Sequence, residues 1–171
     1  TWMPTYVYDQ YDLSSSFSIF TSALLPLFGM AGVLLAGKME QRSRNLAKVS
    51  AILFIVTAAA ITVMLPFYNK SLVLCILLIS IVVGCAYGVT HLLTGQLPGN
   101  YSKYGCVSTI SGLTTAAFYL GSTLSTYGFA VLSEDFGWLI TIASWLALAG
   151  IGILMCAISV KRWFKFEHED E

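Results

Sequence analysis

Residues 71–97 read SLVLCILLISIVVGCAYGVTHLLTGQL, and this stretch decides the fold class. It holds no Asp, Glu, Lys or Arg over a length that a membrane-spanning helix needs, roughly 20 mainly apolar residues. Four more uncharged runs flank it, at residues 17–37, 49–66, 106–133 and 136–160. The whole chain is 57% hydrophobic and 11% charged, against about 25% charged residues in soluble domains. Lipid requires backbone groups to pair within a helix or a closed barrel. Barrel strands are short and alternate in polarity, and these runs do neither. The sequence therefore predicts an all-α, polytopic membrane helix bundle with five spans, at about 17–37, 46–66, 71–97, 106–132 and 138–160. Residues 1–16 precede the bundle, residues 17–160 form it, and 161–171 make a tail.

Charge sets the expected orientation. If the segment before Phe17 is outside, the inside segments hold Lys38, Arg42, Arg44, Lys48, Lys103, Lys161, Arg162 and Lys165, and the outside segments hold only Lys70. Basic residues favour the cytoplasmic side, so the tail is expected in the cytoplasm. Its acidic end, Glu167 to Glu171, reads as solvated. The chain opens on Thr1-Trp2-Met3-Pro4 with no signal-peptide pattern, as a piece of a longer protein would. Cys75, Cys85, Cys106 and Cys156 show no CxxC and no histidine at metal spacing, so they read as packing residues. No metal or other cofactor is expected. Neither is a nucleic-acid partner.

The faces of the runs differ. The second and fifth are apolar nearly all round and are expected to face lipid, with Ile55 and Leu146 on the outer surface. Trp138, Trp145 and Trp163 are expected to include interface anchors. In the fourth run, Ser108, Ser111, Gly112, Thr115, Tyr119, Ser122 and Thr126 recur at three- and four-residue steps. At about 100° per residue they share one sector. Such a stripe either packs on another helix or lines an aqueous cavity. In the third run, Gly84, Gly88, His91 and Gly95 fall together on the helical wheel, flanked by Tyr87 and Thr94. His91 suits proton or anion chemistry near neutral pH, or simple hydrogen-bonded packing. Ser15, Ser18, Ser22, Pro26 and Gly29 share a face of the first run. First, third and fourth spans are thus expected to form an inner layer.

Five patterns resemble the major facilitator superfamily. Trp2-Met3-Pro4-Thr5-Tyr6 resembles the W-x-P-T-Y that ends helix seven in the organophosphate:phosphate antiporter branch. The run Gly32 to Gly37-Lys38-Met39-Glu40 with Arg42 and Arg44 is similar to the cytoplasmic loop between helices eight and nine. Gly84-Cys85-Ala86-Tyr87-Gly88 resembles the tenth-helix G-x-x-Y-G, and Gly112 with Tyr119-Leu120-Gly121 the eleventh helix. Phe136-Gly137-Trp138 resembles the F-G-W opening the twelfth. Two departures stand out: the loop lacks the superfamily aspartate, with Glu40 the nearest acid, and His91 has no counterpart in the pattern.

The resemblance implies the C-terminal half, about helices 8–12, of a twelve-helix transporter, with residues 1–16 as the end of helix seven and its external loop. It implies alternating access around a midplane site, an N-terminal half of the same protein as partner, and a bacterial inner membrane as the setting. The implied cargo is a small polar or anionic solute such as a sugar phosphate or glycerol phosphate. The arginines with which that branch grips phosphate would both lie outside this chain. The implied cavity positions are Tyr87 and Tyr119; the polar faces add His91, Ser111, Thr115 and Ser122. The implied loop motif is Gly32, Gly37, Glu40, Arg42 and Arg44, with Gly37 expected at a tight helix end. A membrane sensor on the same fold and a non-transporting fragment remain as alternatives. Catalysis is not expected, because no Ser-His-Asp set, metal cluster or P-loop is present.

Overall fold

In the computed structural model, the backbone is described for residues 15–67 and 72–168, and side chains at 15–22, 24 and 161–168 lie outside the description. The W-x-P-T-Y motif, Lys70 and the end of the tail fall outside it as well. Every regular element among the described residues is helical. Helix α1 covers Ser15–Ser43, α2 Leu46–Met64 and α3 Leu72–His91. From α3 the chain continues through a π turn, Leu92–Gln96, a helical turn, Leu97–Gly99, and a 3-10 turn, Ser102–Tyr104. The last helical stretch is Val107–His168, with non-helical backbone inside it at Gly137 (φ 78°, ψ 172°). Its two arms are α4 (107–136) and α5 (138–168). Three stretches are long and apolar enough to cross a membrane: Leu46–Met64, Leu72–Tyr104 and Val107–Val160.

The third of these is 54 residues long, or about 80 Å if straight, far more than a hydrocarbon core of about 30 Å. It does not run straight. Phe129 and Trp145, each eight residues from Gly137, meet edge to face with ring centroids 6.0 Å apart. Sixteen residues of straight helix would part them by about 24 Å. The chain therefore folds back at Gly137, in a backbone region open almost only to glycine. The sequence reading placed a loop at 133–137; helix in fact continues to residue 136 and one glycine makes the corner.

The α1–α2 connection is equally short. Arg44 adopts the left-handed conformation (φ 49°), and its N–H donates to the Glu40 carbonyl at 2.7 Å. Asn45 then caps α2, its Oδ1 accepting from the Lys48 N–H at 2.9 Å. An N-terminal cap of this kind satisfies a helix donor that has no partner inside the helix.

Helix α3 is the spine. Helices α1 and α2 both pack against it, and α2 also packs against the last helical stretch. One buried cluster joins Ile61 and Met64 of α2, Cys75 and Ile79 of α3, and Trp138 and Ile142 of α5. A second, at the end where the α1–α2 turn lies, joins Ala36 of α1 to Leu46, Val49 and Leu53 of α2, Cys85 and Val89 of α3, and Leu92. Cys75 and Cys85 are thus core residues, while Cys106 is exposed.

The expected two-layer division is corrected by these contacts. Helix α2 supplies much of the core, and α5 adds Trp138, Thr141, Ile142 and Ala149. Ile55 is exposed as expected, but Leu146 packs against the first cluster. Trp138, one of the three tryptophans among which interface anchors were expected, is a core residue, only 9% exposed. The reason is physical: an all-round apolar helix suits protein and lipid surroundings alike, so hydropathy cannot choose between them. Helix α4 is the exposed element, with Leu113, Tyr119, Leu120, Leu124 and Tyr127 all largely open.

Candidate functional site

Three regions carry the residues singled out in the sequence. The first is the α1–α3 crossing. A Cβ on Gly32 would collide with the Gly84 carbonyl, and one on Gly84 would lie 3.1 Å from the Phe28 carbonyl oxygen. One on Gly88 would lie 3.0 Å from the Ala36 Cβ and 3.1 Å from the Gly32 carbonyl oxygen. Small residues on both helices thus bring the backbones into contact, the device of packing in lipid. Tyr87 sits beside this crossing, 51% exposed, with its ring over Gly29; a Cβ there would be 3.1 Å from the ring. His91 ends α3, half-buried, and Gly95 leaves space for its imidazole: a Cβ on Gly95 would be 3.4 Å from His91 Nδ1.

The sequence reading put Gly84, Gly88, His91 and Gly95 on a single face. The structure gives the first two to α1 and sets the last two against each other across the start of the π turn. There the Leu97 N–H donates to the Leu92 carbonyl, a five-residue step. A wide turn of this kind shifts the helical register of the residues beyond it and is frequent at functional sites. Nothing in a 3.6-residue periodicity signals it.

The second region is the α4 stripe. Ser111 and Thr115 are half-buried; Ser108, Tyr119, Ser122 and Thr126 are exposed. Tyr119 is 65% exposed and meets Phe118 edge to face at 5.7 Å. The flanking hydroxyls bond back to their own helix: Thr114 donates to Ile110, Thr123 to Tyr119 and Ser125 to Ser122. The hydroxyls of Ser108, Ser111, Thr115, Ser122 and Thr126 have no such partner among the described residues. Gly112, Gly121 and Gly128 have open space where a side chain would stand. Ser122, Thr123, Thr126, Tyr127 and Ala130 line a shallow open depression on this helix. Thr123, Tyr127 and Ala130 are the lining residues that the sequence reading did not single out.

The third region is the α1–α2 turn. Gly37 does not end a helix, as expected, but lies inside α1, which runs on to Ser43. Gly32 belongs to the crossing above. Glu40 is half-buried, while Lys38, Arg42, Arg44 and Lys48 are exposed, with no acidic partner among the described residues. Tyr87 and Tyr119 stand on α3 and α4, helices that make little contact with one another, so this half does not bring the two tyrosines together. A comparison with known protein families finds no match, and neither do comparisons with curated proteins and with solved structures.

Proposed function

We propose that this chain is the C-terminal half of a secondary transporter of the major facilitator kind, carrying a small polar or anionic solute by alternating access. The reading is supported above all by the α4 stripe. Five hydroxyls and a tyrosine lie in an apolar span, satisfied neither by their own helix nor by another described one. Facing hydrocarbon, unpaired hydroxyls are unfavourable. Facing a water-filled path shared with a second half-bundle, they supply donors and acceptors for a solute. The rigid glycine crossing of α1 on α3 supports a half that moves as a body. On this reading all five helices cross the membrane, the basic α1–α2 turn lies in the cytoplasm, and Tyr87 and Tyr119 offer phenolic donors to solute oxygens.

The test is uptake of labelled organophosphates and of neutral sugars into proteoliposomes holding the full-length protein. Tyr119→Phe should weaken solute binding several-fold and leave the fold intact, because one neutral hydrogen bond contributes about 0.5–1.5 kcal/mol and one to a charged group somewhat more. Solute binding without uptake would point to a sensor. Unchanged affinity in both Tyr119→Phe and Ser122→Ala would remove the stripe from the solute path.

A further inference from the structure

Helices α1 and α2 lean on α3 far more than on each other, and an open slot lies between them. It encloses about 400 Å³. Its floor is the buried Gly84 and Cys85 of α3, and its rims include Phe28 and Leu35 of α1, Val56 of α2 and Ile81 of α3, all exposed. The wall is almost wholly apolar. Along α1 it reaches from Phe28 to Met39, a rise of about 16 Å. That is close to the depth of one leaflet, half of a hydrocarbon core of about 30 Å.

The cations at its end give it a specific occupant. The α1 residues that line the slot fall on one stripe: Phe28, Ala31, Gly32, Leu35 and Met39. Arg42 continues the stripe by three residues, about 4.5 Å beyond Met39 and past the slot. Lys38 precedes Arg42 by about one turn of α1, and Arg44 follows it by two residues, in the α1–α2 turn; all three are exposed and without an acidic partner among the described residues. An apolar channel one leaflet deep, ending in unpaired cations, is complementary to one amphiphile. From this we infer that the slot is a specific site for an anionic glycerophospholipid, one acyl chain lying between α1 and α2 and the phosphate on Arg42, with Lys38 and Arg44 around it. A basic site between helices at a membrane surface recognises headgroups through the same charge-assisted bonds that arginine makes to any phosphate. The inference does not depend on transport.

The experiment uses the full-length protein in neutral detergent and measures retained lipid by native mass spectrometry. The probes are dioleoyl phosphatidylglycerol, dioleoyl phosphatidylcholine, dihexanoyl phosphatidylglycerol and glycerol phosphate. Dioleoyl phosphatidylglycerol should be retained at least several-fold above the other three. Lys38→Gln with Arg42→Gln should abolish that preference, and Arg42→Lys should keep part of it. Ala31→Phe, which fills the slot, should lower retention of both dioleoyl lipids, and the chain-length comparison on the unaltered protein covers the case where that variant misfolds. Equal retention of phosphatidylglycerol and phosphatidylcholine would mean ordinary surrounding lipid and would overturn the proposal. Equal binding of glycerol phosphate would replace the lipid site with a soluble-anion site, and a preference that survives loss of both cations would equally refute it.

Discussion

Replacing Gly32 by alanine adds one methyl group where α1 and α3 come closest. That methyl would meet the backbone of Gly84, which has no rotamer to change. The helices must part, and the neighbouring contacts at Gly84 and Gly88, already at 3.0–3.1 Å for any added Cβ, part with them. Gly37 on the same helix supplies the control. Its nearest neighbour for an added Cβ is the Gln96 Nε2 at 3.8 Å, an ordinary contact. Both substitutions gain the same helix propensity, about 1 kcal/mol in favour of alanine. The difference between them therefore isolates the packing cost, about 1–3 kcal/mol for overpacking a tight core. A difference near 2 kcal/mol changes the folded-to-unfolded ratio about 30-fold. Gly37→Ala should be neutral or stabilising, and Gly32→Ala clearly less stable than Gly37→Ala. The assay is unfolding of the full-length protein in mixed detergent with increasing denaturing detergent, followed by tryptophan fluorescence. Equal midpoints for the two variants would show that the backbones do not touch there, and the account of α1–α3 packing would fail.

Asn45→Ala should lose the α2 cap at a cost of about 1 kcal/mol, whereas Asn45→Asp should restore most of it; equal stability of the two variants would argue against the cap. Gly137→Ala should cost about 1–3 kcal/mol, because its backbone conformation is nearly closed to side-chain-bearing residues, and should disturb the Phe129–Trp145 pair. Cysteines at 129 and 145 that are joined by a short bifunctional thiol cross-linker as readily in the alanine variant would contradict the corner. A cysteine at Ser43 should react with an impermeant reagent only from the cytoplasmic side, where the basic residues are expected; ready labelling from outside intact cells would overturn the orientation.

Composition and patterning were enough to settle the material of this protein. The uncharged runs demand helices in apolar surroundings, because unpaired backbone groups are too costly in hydrocarbon for any other open structure. Gly84-xxx-Gly88 announced a close crossing. Its partner, Gly32 of α1, emerged only from the folded chain, since a small residue says that something comes near without saying what. Placement of Trp138 in the core was decided by the fold-back at Gly137, and a hydropathy pattern is blind to that single glycine torsion. Helix α2 entered the core for a related reason: burial in protein and burial in lipid demand the same apolar surface. The α4 stripe was legible as a periodicity, but its hydroxyls could be seen to lack partners only once the other helices had taken their places. The slot between α1 and α2 belongs to the packing alone, formed where two helices lean on a third, and the sequence showed only the cations that stand at its end.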